Sequence, residues 1–303
     1  MTIAFVPLLT IGLSLAELVV IVRILLRPHR DPASRVAWVV VVGMVPVVGI
    51  LAYLMFGEVR AGTAGRGRSQ LDHAHSHSRS RQSIEVLLPE RHSNLFRLGT
   101  SINGNLPVAG NSASLLKDSN AAIDRMVDDI DAAKRDVNVS FYIWLQDNNG
   151  RKIVEALSRA ARRGITCRAL ADDVGSRALI RSSLWTDMKA AGVLAANALP
   201  VGNPIFRAIG GRIDVRNHRK IVVVDGRITY CGSQNCADPE FLPKARYAPW
   251  VDIMLRFEGP IVEQNMLLFA NDWTSRTNEP LEVVAEEWKA DSKDMPALGR
   301  GYD

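Results

Sequence analysis

One stretch of the sequence, RNHRKIVVVDGRITYCGSQN at residues 216–235, gathers side chains that suit chemistry on a phosphate group. His218 offers a ring nitrogen that can attack phosphorus, and Lys220 offers an ammonium that attracts the oxygens of an anion. Ser233 and Asn235 add a hydroxyl and a carboxamide, which can donate hydrogen bonds to the same oxygens. The set therefore predicts an anion site with a nucleophile.

The elements that must position these residues are predicted to be the two strands of a hairpin. Asp225-Gly226 lies between two apolar runs, which is the strongest short-range hairpin signal. A two-residue turn there would place His218 opposite Ser233, and the four polar side chains would then share one face. A lone His-x-Lys triplet is more often a structural histidine beside an exposed lysine. The full spacing, together with the hairpin, is much more specific.

The sequence from about residue 115 has the pattern of an α/β domain. Helices are predicted around residues 123–130, 150–163 and 181–192 and from Pro260 onward, and strands at 137–144, 165–171 and 250–257. Alternation of strands and helices predicts one mixed, largely parallel sheet covered by helices. We assign 115–278 to this catalytic half-domain and 279–303 to a C-terminal tail.

The first 57 residues are predicted to form a transmembrane hairpin. Residues 3–22 contain a single charged residue and residues 36–56 contain none, and each is about as long as the ~20 residues that cross a bilayer. Pro46 is expected to kink the second segment, and a re-entrant hairpin is the alternative. Residues 58–114 are assigned to a basic juxtamembrane tether. The net charge of +5 and pI of 9.3 favour anionic partners.

The motif block resembles the HKD motif of the phospholipase D superfamily, and the chain is most similar to the bacterial cardiolipin synthase branch. The resemblance also rests on segments that occur there in the same order: FYIW (141–144), ARRGITCRALADDVGS (161–176), RNHRKIVVVDG (216–226), WVDIMLRFEGP (250–260) and NDW (271–273).

This resemblance implies a role for each candidate residue and implies no metal and no cofactor. His218 would form a phosphohistidine, or would protonate the leaving alcohol. Lys220 and Asn235 would hold phosphoryl oxygens, with Ser233 supporting them. An acidic residue on a later strand orients the histidine in this superfamily, and Asp252 lies where that residue belongs. Asp225 completes the motif and the set of catalytic candidates, although we expect it to serve the turn and packing.

The resemblance also implies two such motifs in each active site, whereas this sequence has one. None of the other five histidines begins a second His-x-Lys. One imidazole cannot easily attack phosphorus and also deliver a proton from the opposite side. We therefore expect a second half in trans, from a homodimer or a separate polypeptide. The alternative is an inactive remnant.

The function implied is phosphatidyl transfer, in which two phosphatidylglycerol molecules give cardiolipin and glycerol. Membrane spans favour an anionic phospholipid as partner and not nucleic acid. The implied location is the cell membrane with several passes; the charge pattern is nearly balanced, and the catalytic domain is assigned to the cytoplasmic side. Two alternatives remain: an inactive membrane protein that binds lipid or a partner, and a phospholipase D-like phosphodiesterase or nuclease.

Overall fold

The computed structural model describes residues 5–27, 31–57, 90–200, 216–241, 249–277, 279–280 and 284. The chain divides into two compact units, an N-terminal helical unit and an α/β unit.

The N-terminal unit consists of helices α1 to α3 and a π-helical turn. Their bounds are Phe5–Leu26 (α1), Pro32–Met44 (α2), Pro46–Ala52 (α3) and Tyr53–Gly57 (π turn). The Asp31 carboxylate caps α2 by accepting a hydrogen bond from the Ser34 N–H at 3.1 Å. The helical path breaks at Val45, because Pro46 has no N–H to donate to the preceding turn. The predicted kink at Pro46 is therefore confirmed.

The N-terminal helices pack on one another through a small apolar cluster. Ile24, Val42 and Tyr53 are fully buried in it. Trp38 meets Tyr53 edge to face at 5.5 Å between ring centroids. Among the described helices, none is long and apolar enough to cross a membrane. The spans predicted at residues 3–22 and 36–56 are thus not confirmed.

The α/β domain alternates strands and helices along the chain. Its helices are Glu90–Asn103 (α4), Ser119–Asp131 (α5), Asn148–Arg162 (α6), Arg177–Ile180 (α7), Ser183–Ala190 (α8) and Ile261–Thr274 (α9). Its strands are Ser112–Leu115 (β1), Asp136–Phe141 (β2), Thr166–Asp172 (β3), Leu194–Ala198 (β4), Ile221–Val224 (β5), Ile228–Gly232 (β6) and Met254–Glu258 (β7).

The described strands form one mixed sheet in the order β1-β7-β6-β5-β2-β3-β4. Only the pairs β2–β3 and β3–β4 are parallel, and the other four pairs are antiparallel. The prediction of a mixed sheet is confirmed, but the prediction that it is largely parallel is wrong. The reason is that β5 and β6 form a hairpin, which reverses the chain direction without a crossover helix, and β7 reverses it again.

Helices cover both faces of the sheet, and strand β5 shows how. Val222 and Val224 point into the larger core, together with apolar residues of α5 and α6. Ile221 and Val223 point into a second core under α9. Since side chains alternate across a strand, a continuous apolar run is what a strand covered on both faces requires.

Two domain boundaries drawn from the sequence need correction. Helix α4 and the first three residues of strand β1 lie within the predicted tether at 58–114. Residues 58–89 of that tether lie outside the described residues. Strand β1 was missed because it is an edge strand of only four residues whose side chains are all exposed. The predicted tail at 279–303 also begins too early. Glu279 accepts a hydrogen bond from the buried guanidinium of Arg168 at 3.0 Å, and Val284 is buried in the core under α9.

Candidate active site

The candidate residues lie at one edge of the sheet, where strands β2 and β6 end and β5 and β7 begin. These four strands lie in the order β7-β6-β5-β2, and each successive pair is antiparallel, so the last residues of β2 and β6 and the first residues of β5 and β7 fall at the same edge. Short segments that follow or precede the strands carry the functional side chains.

His218 is exposed at this edge, and its imidazole stacks on the ring of Tyr142. The ring centroids are 4.0 Å apart and the planes are inclined by 26°. The imidazole makes no hydrogen bond to any residue that the structure describes. Tyr142 directly follows β2. No role was predicted for it, although it lies within the predicted strand 137–144 and within FYIW, one of the segments on which the resemblance rests.

Lys220 contacts the same tyrosine. Its Nζ lies 5.7 Å from the centroid of the Tyr142 ring and donates a 2.7 Å hydrogen bond to the His218 carbonyl oxygen. Burial lowers the pKa of the Lys220 ammonium, and the negative charge of Asp252 opposes that shift. The site thus holds a partly desolvated cation beside the imidazole.

Asp252 is bonded to Ser233. The Ser233 hydroxyl donates to Asp252 Oδ1 at 2.7 Å and accepts from the Ile253 N–H at 3.0 Å. No hydrogen bond joins Asp252 to His218 in the described part of the chain. The predicted role of Asp252 in orienting the imidazole therefore stays a prediction, while its link to Ser233 is a structural fact.

Asn235 is anchored beside Tyr142. Its Oδ1 accepts from the Ile143 N–H at 3.1 Å, and the neighbouring Cys236 exchanges backbone hydrogen bonds with Ile143 and Leu145 at 3.0 and 3.1 Å. Its two amide N–H groups find no acceptor among the described residues. They could donate hydrogen bonds to an anionic oxygen of a ligand.

The predicted hairpin is confirmed, but its predicted register is wrong by one residue. Val224 pairs with Ile228, and Ile221 pairs with Cys231, so Arg227 is an extra residue in the turn. The Arg227 N–H closes the turn by donating to the Val224 carbonyl at 3.0 Å. Strand β5 begins only at Ile221, after both His218 and Lys220. The predicted shared face therefore does not arise from strand pairing, because these groups lie on segments beyond the paired strands.

Asp225 lies at the other end of the hairpin. Its carboxylate accepts hydrogen bonds at 2.8–3.2 Å from the backbone N–H groups of Lys134, Arg135 and Asp136, just before and at the start of β2. The four residues of β5, about 13 Å at ~3.3 Å per residue, lie between it and the segment that carries His218 and Lys220. The structure does not bring Asp225 to the other candidates.

Comparison with known proteins gives two family matches. Residues 126–248 match the family described as "Cardiolipin synthase, PLD-like domain", and residues 18–58 match the one described as "Phospholipase_D-nuclease N-terminal". The first match includes Tyr142 and the whole segment from His218 to Asn235.

Individual proteins are also similar. The chain is 36% identical over 267 residues to cardiolipin synthase A of Escherichia fergusonii and 35% identical to that of Citrobacter koseri. Each alignment covers 86% of this chain and 54% of the relative, so the chain spans about half the length of the curated relatives it matches. Among solved structures it is similar to Nuc from Salmonella typhimurium, a phospholipase D family member. That likeness has a TM-score of 0.41 and 18% identity, and it covers 55% of this chain and 97% of Nuc.

The matched family domain contains the stacked histidine, the neighbouring lysine and the anchored asparagine. The chain is therefore similar, over the domain that contains these residues, to the cardiolipin synthase branch of the phospholipase D superfamily.

Proposed function

We propose that the chain is a phosphatidyltransferase of the cardiolipin synthase type, which converts two phosphatidylglycerol molecules into cardiolipin and glycerol. The observation that carries this proposal is the exposed imidazole of His218, with the Lys220 ammonium and the Asn235 amide at the same edge of the sheet. This set combines a nucleophile with donors for the oxygens of a phosphodiester.

In the first step, a ring nitrogen of His218 attacks the phosphorus of the donor lipid. The N–P bond forms as the bond from phosphorus to the glycerol oxygen breaks. That oxygen keeps the bonding electron pair and takes a proton from a second imidazole on the opposite side. Lys220 and Asn235 stabilise the negative charge on the oxygens that remain on phosphorus.

The second step reverses the roles of the two imidazoles. The second imidazole, now neutral, takes the proton from a hydroxyl of the acceptor phosphatidylglycerol. The acceptor oxygen attacks phosphorus, the N–P bond breaks, and its electron pair returns to His218. Cardiolipin is released and both histidines regain their starting protonation states.

A lipid substrate is supported by the apolar surroundings of the site. Trp250, Val251 and Ile253 flank Asp252 in the chain and are exposed, Val251 by 92%. The cardiolipin synthase A relatives support the same class of substrate. Apolar side chains beside an anion site suit a ligand that has a charged head and acyl chains.

Membrane anchoring by the N-terminal helices belongs to this proposal. Many of their large apolar side chains are exposed, among them Leu18, Met44 and Val48. Contact with lipid is more favourable than contact with water for such a surface. We propose that residues 3–26 and 36–56 hold the chain in the cell membrane. Extraction of membranes at alkaline pH should leave the chain in the pellet. Its release into the supernatant would exclude an integral anchor.

We further propose that the second histidine comes in trans, most simply from another copy of this chain. Two imidazoles are needed, and this sequence has one His-x-Lys. A two-fold axis through the site would place the same residue on both sides of the phosphorus, as in-line displacement requires.

The test is to incubate the purified full chain in detergent with labelled phosphatidylglycerol. We expect labelled cardiolipin and free glycerol, loss of both with His218→Ala, and no loss with His92→Ala, which changes an exposed histidine of α4. Phosphatidic acid without cardiolipin would indicate a hydrolase. Full transfer by the His218→Ala chain would show that this motif is not the active site.

A further inference from the structure

Helix α9 contacts the residues on both sides of His218 through one carboxylate. Asn217 Nδ2 donates to Asp272 Oδ2 at 2.7 Å. The Arg219 guanidinium donates to both oxygens of Asp272, at 2.8 and 2.7 Å. Asp272 therefore bonds to the residue before His218 and to the residue after it, without bonding to His218 itself.

The Asn217 side chain ties the same segment internally. Its Oδ1 accepts a hydrogen bond from the Arg219 backbone N–H at 3.1 Å, while its Nδ2 is bonded to Asp272. The backbone around His218 is thus bridged by one amide, and that amide is fixed to a helix. Such side-chain bridges define local backbone conformation where strand pairing does not.

Residues 217–220 depend on contacts of this kind, because they precede β5 and take no part in the pairing of the described strands. Helix α9 is itself fixed on the sheet, because four of its apolar side chains are buried there: Val262, Met266, Phe269 and Trp273. Asn217 and Arg219 bond to Asp272 of α9, whereas the side chains of His218 and Lys220 lie against Tyr142, which follows β2.

We propose that Asp272 is a positioning residue for His218: it holds Asn217 and Arg219 so that the imidazole stays stacked on Tyr142 and presented to the substrate. The position of the imidazole is a property of the protein without substrate. Its consequence for catalysis rests on the proposed function.

The position of the imidazole can be measured by NMR on the full chain in detergent, with the histidine rings labelled with ¹³C. His218→Gln identifies the His218 signal. Stacking on Tyr142 shields the imidazole protons, so Tyr142→Leu gives the chemical shift of the unstacked ring. In Asp272→Ala we expect the His218 signal to move from the wild-type position toward that of Tyr142→Leu.

Two further variants separate this effect from general damage. Arg219→Gln changes an exposed side chain and should move the signal in the same direction, even if Asp272→Ala folds poorly. Asp131→Ala is the matched control, because Asp131 forms a similar two-bond pair with Arg159 at 3.0 and 2.7 Å far from the site in sequence. It should leave the signal unchanged. A His218 signal that stays in place in both Asp272→Ala and Arg219→Gln would overturn the proposal.

The catalytic consequence is a change in kcat with little change in KM. A misplacement of about 1 Å can lower a rate about 10²-fold, so Asp272→Ala should lower kcat by up to that factor. A moved ring signal with unchanged kcat would refute the catalytic consequence. If wild-type protein transfers no lipid, the proposed function fails, while the ring signal still decides whether Asp272 positions His218.

Discussion

Lys220 connects the chemistry of the site to pH. Burial lowers the pKa of its ammonium, and Asp252 offsets part of that shift by favouring the charged form. The charged form is the one that binds phosphoryl oxygens in the proposed mechanism. Activity should therefore fall at alkaline pH as Lys220 loses its proton, and it should fall at a lower pH than for a fully exposed lysine.

Replacing Asp252 with asparagine should move this alkaline limit. Asp252→Asn removes the negative charge that favours the ammonium, so the pKa of Lys220 should fall further and the alkaline limb of kcat/KM should shift to lower pH. The measurement is the pH–rate profile of both chains. Asp124→Asn is the matched control, because Asp124 pairs with the exposed Lys152 at 2.6 Å. A shift to higher pH would mean that a group other than Lys220 determines the alkaline limb of the pH–rate profile.

The hairpin is the element that carries the motif, and its turn is held from outside. Asp225 and Gly226 both have positive φ, 52° and 61°, as a tight turn between twisted strands requires. The Asp225 carboxylate also bonds to three backbone N–H groups next to β2. Asp225, the third residue of the motif, thus joins the hairpin to the start of the neighbouring strand β2, at the edge of the sheet opposite the site.

This position predicts that changing Asp225 lowers stability and not chemistry. Asp225→Ala should lower the free energy of unfolding by about 1–3 kcal/mol, because three backbone N–H groups, two of them in partly buried hydrogen bonds, lose their acceptor. Asp225→Asn should cost less, since asparagine tolerates positive φ and keeps one acceptor oxygen. Denaturant unfolding measures the difference. If the Asp225→Ala chain were as stable as wild type yet unable to transfer lipid, Asp225 would belong with the catalytic residues after all.

For the whole molecule, the proposal of a shared site makes activity depend on assembly. A self-dimer that provides both histidines should lose specific activity on dilution in detergent, since mass action separates the copies. Mixing wild type with an excess of His218→Ala chain should lower activity more steeply than an equal dilution with detergent, because mixed pairs have only one imidazole.

The mixing experiment also has a clear opposite outcome. Activity proportional to the wild-type chain alone, at every ratio and concentration, would exclude a shared site between copies. Inactivity at every concentration would instead favour a separate second half or an inactive chain. Adding His92→Ala chain in the same excess is the control, because it should form fully active pairs.

The sequence by itself determined the features that depend on neighbouring residues. Helix periodicity predicted α5 and α6, the Asp225-Gly226 dipeptide predicted the β5–β6 hairpin, and Pro46 predicted the break after α2. The motif also placed His218 and Lys220 just before the hairpin and Asn235 just after it. Each of these follows from backbone preferences and side-chain types within a few residues.

Only the tertiary structure decided the features that depend on residues distant in the chain. Asp225 bonds to a backbone N–H 91 residues away, and Arg219 bonds to Asp272 53 residues away. Tyr142, which follows the neighbouring strand β2, stacks on His218. The direction of most strand pairs and the one-residue shift of the hairpin register are of the same kind. Local patterns contain no information about which distant donor meets which acceptor, since that is set only when the sheet and its helices pack together.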